Sequence, residues 1–426
     1  MATHESPTSP SHNFKKSRKQ SQRRARSGSV AGHHYDHQHQ ESLTKIRNFL
    51  KTRTTYDVFP LSYRLVVLDN KLPVKQALNI MHQTGVVSCP VYDQKKWAFA
   101  GMLTLLDIIH LIQWYYLKAE SFETAAADVD TFRIESIRDI EKELDVPPPP
   151  LNHIHPSRPL FDACKQLLQT HARRLPLIDH DSASGMELIV SVLTQYRVLK
   201  FIANNCKEIA GLNMSLRALG IGTYVDPKPY DPYYPMAHAT MDTTVFNVVH
   251  MFSERGISAV PILDDNGVVI NLYETVDVTT LVRSGTYTKL DLSIRSALTL
   301  RSSEFPGAVT CTSSDSLGKL LEFIKGQRIH RLVVVEGEGP NKGKLAGIIT
   351  LSDVLRYIVG GTPAGGGGIA GAGGISMSPS AASSLNVSTM GLSSTSAPAT
   401  ATSSAAITPA PSHPGSPPPP EETGQN

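Results

Sequence analysis

The stretch Ile329–Ile358, IHRLVVVEGEGPNKGKLAGIITLSDVLRYI, decides how this chain folds. A basic pair, His330-Arg331, opens a β-branched run, Val333–Val335. Such side chains suit a pleated, half-buried surface. A charged, glycine-bearing turn follows, Gly337–Lys344, and then a second apolar run, Leu345–Ile349. That run ends at Thr350-x-x-Asp353, where a helical pattern begins. The reading is strand, turn, strand, helix.

The same order of elements occurs three more times. Unit one has GVVSCPVYD (Gly85–Asp93) and FAGMLTLLDII (Phe99–Ile109). Unit two has ARRLPLID (Ala172–Asp179) and IVSVLTQYRVL (Ile189–Leu199). Unit three has GISAVPILD (Gly256–Asp264) and VVINLYETVDV (Val268–Val278). An amphipathic helix is expected before each unit: Val74–Gln83, Leu160–Gln169, Val245–Glu254 and Leu317–Lys325. The repeat recurs at roughly 70 to 90 residues. One unit alone leaves a sheet face open, so units are expected to pair.

Composition bounds what surrounds the repeats. The 426 residues are 40% hydrophobic and 19% charged, with a formal net charge of +3. That length suits about two or three domains, and the near balance of charge argues for no nucleic-acid partner. The four cysteines, Cys89, Cys164, Cys206 and Cys311, form no CxxC and sit in apolar or helical surroundings. They read as buried thiols rather than disulfides or a metal site. No apolar run reaches the ~20 residues of a membrane span, and the N-terminus lacks the apolar core of a signal peptide. A soluble, intracellular protein is the expectation.

Residues 1–44 are expected to be a disordered basic and His-rich tail. Lys15–Arg26 holds seven basic residues and no acid, either a nuclear-import or anionic-surface signal or a merely solvated tail. His33–His39 is rich in imidazole, but a flexible tail fixes no metal geometry. Residues 361–426, rich in Gly, Ser, Ala and Pro, are expected to be a second disordered tail. A Pro-rich spacer, Pro147–Pro150, separates units one and two. The segment 223–236 reads as a linker between two modules, 45–222 and 237–360.

The strand–strand–helix repeat, closing on Thr-x-x-Asp in units one and four, resembles the CBS motif. The implied fold is α/β: four tandem β-α-β-β-α CBS motifs paired into two Bateman modules, with disordered tails. YDVFPLSYRLVVLD (Tyr56–Asp69), IHPSRPLFDAC (Ile154–Cys164), SVLTQYRVLKF (Ser191–Phe201) and HRLVVV followed by TLSDVL resemble, in this order, the regulatory gamma subunits of AMP-activated protein kinase, most of all the fungal ones. The resemblance implies a non-catalytic subunit with no cofactor and no metal, binding AMP, ADP or ATP. It implies alpha (catalytic) and beta (scaffold) partners, and a cytoplasmic and nuclear location.

A nucleotide needs a carboxylate to accept the ribose diol, and cations, hydroxyls and helix N-termini for its phosphates. The resemblance assigns the first role to Asp353, Ser352, Thr350, Ser258, Asp277, Asp107 and Thr104. It assigns the phosphates to His330, Arg331, Arg173, Arg174, Arg197, Lys200 and Arg301. Unit two carries Arg197 at the acidic position, and a cation cannot accept the diol's hydrogen bonds. Spacing alone favours a helix capping box at Thr104/Asp107 and Thr350/Asp353, and the fourfold repetition with the resemblance reverses that preference for Asp353. Compared with animal gamma subunits, Val87, Arg173 and Gly256 depart from the family pattern, as does Leu106. Unit four is therefore the most complete site. Arg64–Leu68 reads as a strand, either adding to a partner's sheet or pairing at home. Trp114-Tyr115-Tyr116 reads as a partner patch or as helix packing.

Two other classes compete. The chain lacks a P-loop, a GxSxG and an HExxH motif, so little supports an enzyme of nucleotide chemistry. A standalone CBS scaffold that binds partners without nucleotide sensing is the alternative reading.

Overall fold

The computed structural model describes residues 36–59, 64–118, 132–170, 173–226, 235–283, 291–301 and 307–360. The basic run Lys15–Arg26 and the expected tail 361–426 lie outside these residues.

Each unit is a leading helix, an antiparallel hairpin and a closing helix. In unit one these are α2 (Val74–Gln83), β2 (Ser88–Asp93), β3 (Ala98–Thr104) and α3 (Leu105–Lys118), with β1 (Leu68–Asp69) added in parallel to β2. A further helix, α4 (Ile137–Glu143), leads towards unit two. Unit two is α5 (Leu160–Leu167), β4 (Arg174–His180), β5 (Glu187–Thr194) and α6 (Gln195–Asn205), followed by β6 (Thr223–Tyr224). Unit three is α7 (Val245–Arg255), β7 (Ala259–Leu263), β8 (Val269–Glu274) and α8 (Thr275–Arg283), followed by α9 (Ile294–Leu298). Unit four is β9 (Thr310–Cys311), α10 (Leu317–Gly326), β10 (Arg331–Val335), β11 (Leu345–Thr350) and α11 (Leu351–Val359).

The leading helices form because each buries one stripe at i, i+3, i+4 and i+7. Val74, Ala77, Leu78 and Met81 are buried on α2, and Leu160, Ala163, Cys164 and Leu167 on α5. Val245, Val248, Val249 and Phe252 do the same on α7, and Leu317, Leu320, Leu321 and Ile324 on α10. Each such Leu, Ile or Val contributes roughly 1.5–3 kcal/mol on burial. The stripes are therefore what hold the helices down.

The helices pair differently from the sheets. Units one and two meet through their sheet ends: Glu187 accepts from the Phe99 N–H at 2.8 Å, and the Tyr92 hydroxyl donates to the Glu187 carbonyl at 3.1 Å. Units three and four meet likewise, through Val269 N–H to Gly343 O at 3.0 Å. The helical cores instead join units one and three in one cluster and units two and four in another.

Three expectations change. The N-terminal tail expected through residue 44 gives way to a helix, α1 (36–52), whose Leu43, Ile46 and Leu50 enter the core of units two and four. Burial of those side chains and Arg47 donating to the Ile358 carbonyl at 2.7 Å outweigh the polar composition. The linker expected from residue 223 opens with β6, which pairs with β11 through Thr223↔Ile348 and Tyr224↔Gly347. Only glycine fits at Gly347, because a Cβ there would lie 2.6 Å from the Thr223 carbonyl oxygen. The strand expected over Arg64–Leu68 is regular only at Leu68–Asp69, and it pairs at home with Val91 and Tyr92. Trp114 packs edge-on against Phe132 and donates to Glu143 at 2.8 Å.

Candidate functional site

A cavity of about 970 Å³ lies where the strand-to-helix junctions of the four units converge. Among the described residues its wall carries nine Arg or Lys side chains and two acids, Glu274 and Asp353. Such a concentration of one sign, with low-dielectric walls, focuses a positive field.

The junctions explain how the site is built. At each, a strand ends and a helix starts, so unpaired backbone N–H groups point the same way. Thr350 and Asp353 form a reciprocal capping box: Thr350 N–H donates to Asp353 Oδ2 at 2.9 Å, and Asp353 N–H to Thr350 Oγ1 at 3.4 Å. Thr104 and Asp107 repeat it in unit one, and Thr194 caps Arg197 N–H at 3.1 Å in unit two. In unit three Glu274 stands in the threonine's place, its N–H donating to Asp277 Oδ2 at 2.8 Å. The capping alternative thus holds geometrically, and in unit four it uses chiefly one carboxylate oxygen. Asp353 Oδ1 meets Arg356 of the same helix at 3.3 Å.

Of the sequence-expected residues, Thr104, Ser258, Thr350, Ser352, Asp353, Arg173, Arg174, Arg197, Lys200, His330 and Arg331 share the cavity wall. Several reach across units. Arg173 Nη1 donates to Ser258 Oγ at 2.9 Å, and Arg174 Nη1 to Ser88 Oγ at 2.9 Å. Ser352 Oγ donates to Gln195 Oε1 at 3.0 Å. Arg331 Nε lies 2.9 Å from Glu274 Oε1, a close charge contact without the alignment of a hydrogen bond. Lys200 Nζ lies over the Tyr196 ring, 5.7 Å from its centroid.

Three expected residues sit elsewhere. Asp107 is buried and accepts from Arg138 Nη1 at 3.0 Å. Asp277 is buried and clasped by Arg301, with Nε to Oδ1 at 2.8 Å. Arg301, expected on the phosphates, is instead paired with Asp277 and is not among the residues lining the cavity, because a buried carboxylate needs a paired cation.

Electrostatics follow from the crowding. His330 opens to water in the cavity. Even so, the enclosing wall desolvates its ring and Arg328, Arg331, Arg174 and Arg173 repel a proton, pushing the imidazole down to about 4. Burial, with Arg328 beside it, pushes Arg174 down to about 10. Burial raises Glu274, opposed by Arg331. The site is thus charged against itself, and an anion relieves it.

Sequence reasoning missed Ser88, Glu274, Arg138 and Arg328. Glu274 had a signal, since it replaces the hydroxyl residue of the other units. Arg138 had none, because it reaches Asp107 from 31 residues away.

A CBS-domain family model matches residues 57–113, 232–281 and 304–360. The chain is 42% identical over 323 residues to the 5'-AMP-activated protein kinase subunit gamma of Saccharomyces cerevisiae, covering 76% of this chain and 95% of the relative. It belongs to the family of AMP-activated protein kinase gamma subunits. The Kluyveromyces lactis gamma subunit is likewise 42% identical, covering 75% of this chain and 92% of the relative. An archaeal protein of Methanocaldococcus jannaschii shares the fold, with a TM-score of 0.54 at 16% identity over 72% of this chain and 99% of that one. The CBS repeats and the regulatory, non-catalytic class read from the sequence therefore stand. No described helix is long and apolar enough to cross a membrane.

Proposed function

We propose that this gamma-family chain senses adenine nucleotide for a heterotrimeric Ser/Thr kinase, and that unit four is where it does so. Asp353 accepts the ribose diol, Thr350 and Ser352 support it from the helix start, and His330, Arg331, Arg173 and Arg174 meet the phosphates. Arg197 and Lys200 extend that basic wall from unit two. AMP, ADP and ATP share the groups this arrangement recognises. The observation that carries the reading is the strongly basic cavity, with Asp353 the one carboxylate of the four closing positions on its described wall.

The regulatory logic is differential affinity: nucleotide must favour one arrangement of the kinase over another. The partners are an alpha catalytic subunit and a beta scaffold subunit, in cytoplasm and nucleus. The modules 45–222 and 237–360 together enclose the ligand. Calorimetry with AMP, ADP and ATP on wild type and Asp353→Ala tests the site. Weakened binding with an unchanged circular-dichroism spectrum is expected, and wild-type affinity in the variant would sink the assignment. Thermal stability unmoved at saturating AMP, ADP and ATP would instead favour a scaffold without nucleotide sensing.

A further inference from the structure

The helix that closes unit two begins by reaching into unit four. Thr194 serves its own helix, accepting from Arg197 N–H at 3.1 Å. The next two side chains leave their unit. Gln195 Oε1 accepts from the Ser352 hydroxyl at 3.0 Å, across 157 positions of sequence. The Tyr196 hydroxyl donates to the Gln327 carbonyl at 3.4 Å, and its ring centroid lies 6.1 Å from that of His330. Gln195 and Ser352 both line the basic cavity, and Ser352 stands beside Asp353 at the start of α11.

Gln195 is 4% exposed, and its Nε2 is buried with no acceptor among the described residues. A carboxamide carries two donors as well as an acceptor, and a buried donor left unpaired is destabilising. The Ser352 hydroxyl has a single proton, and here it goes to Gln195 Oε1. The arrangement thus leaves a donor idle on Gln195 and withdraws one from the cavity at Ser352. Turning the carboxamide over by half a turn exchanges the roles. Nε2 then donates to Ser352 Oγ, and the hydroxyl proton is released. Oε1 takes the place of Nε2, and an under-satisfied carbonyl is tolerated more readily than an orphaned N–H. The freed O–H is then available to an oxygen of an anionic ligand, a stronger bond than one between neutral groups.

We propose that Gln195 is a positioning residue for nucleotide binding in unit four, its carboxamide turning over as the ligand enters so that Ser352 donates to the ligand rather than to Gln195. Unit two, which carries Arg197 at its own closing position, thereby registers occupancy of unit four through the first residue of α6. This rests on the reading of unit four given above.

The experiment is a double-mutant cycle on AMP affinity, by calorimetry on the full-length chain. Gln195→Met keeps the size of the side chain and removes both polar ends, and should weaken AMP binding about three- to tenfold. Ser352→Ala should weaken it by a similar factor, and Gln195→Met should add nothing in the Ser352→Ala chain. A role in packing alone lowers affinity by the same factor in both backgrounds. That result, or wild-type affinity in Gln195→Met, overturns the proposal. If Gln195→Met does not fold, Gln195→Glu decides, because a carboxylate only accepts and so keeps the Ser352 proton. Its loss of affinity should be larger in the otherwise wild-type chain than in Ser352→Ala; an equal loss in both, as charge repulsion alone produces, overturns the proposal. Absence of binding to wild type by AMP, ADP and ATP alike overturns the reading of unit four itself, a result distinct from absence of coupling.

Discussion

Arg331→Ala should cost stability as well as nucleotide affinity, and Glu274→Gln in the same chain should return the stability without the affinity. Arg331 opens β10 in unit four, and Glu274 ends β8 in unit three, with Nε and Oε1 2.9 Å apart. At that distance and an effective dielectric near 20, the attraction is about 6 kcal/mol. Desolvation cancels much of it, and removing one partner of a buried pair typically costs about 3–5 kcal/mol. Here the two side chains keep 14% and 15% of their exposure, so water still screens them. About 2–3 kcal/mol is the expected loss.

The pH dependence gives a second handle. Burial already raises Glu274, and Arg331 is what opposes it. Without Arg331 the folded-state pKa rises further above its unfolded value. A carboxyl raised in this sense binds protons more tightly when folded, so the variant regains stability as pH falls through that folded pKa. The deficit should therefore be largest at neutral pH and shrink on mild acidification. Urea denaturation of wild type, Arg331→Ala and Arg331→Ala/Glu274→Gln, with calorimetry on the same samples, reads both effects. A single variant as stable as wild type, or a deficit that Glu274→Gln leaves in place, would refute the argument.

Asp353→Asn should weaken AMP binding by about 10- to 100-fold, as loss of charge-assisted hydrogen bonds costs about 1.5–3 kcal/mol; calorimetry measures it. Nucleotide binding near pH 6 should take up a proton, because an anion reverses the repulsion that holds His330 down to about 4. Binding enthalpies measured in buffers of different ionisation heat should reveal that uptake, and His330→Asn should abolish it. The same depressed imidazole makes His330 a source of stability that is full above about 6.5 and lost as pH falls towards about 4, with solvent access reducing its size. Gly347→Ala should destabilise by about 1–3 kcal/mol in thermal unfolding, since its Cβ would force Thr223 and β6 away.

Much of the unit structure is legible along the chain. The apolar spacing of Val74–Met81 and Leu317–Ile324 marks which helix face is buried. The β-branched runs mark the hairpins, and Thr350-x-x-Asp353 marks a helix start whose cap forms as spaced. These features depend on neighbours within a few residues, which is the range over which sequence pattern and backbone geometry are tied.

By itself, then, the sequence determined four strand–strand–helix units, their capped helix starts and the basic residues that enter the middle strands. Only the tertiary structure decided which faces meet. An apolar stripe requires cover but does not name its partner, so the joining of units one with three and two with four is set by shape and connectivity. The same holds for the closing acids. Asp107, Asp277 and Asp353 are alike in sequence. Arg138 and Arg301 arrive from 31 and 24 residues away to bury the first two, and Asp353 is left facing the basic cavity. A carboxylate's availability depends on which donors reach it in space, and residue type alone does not encode that.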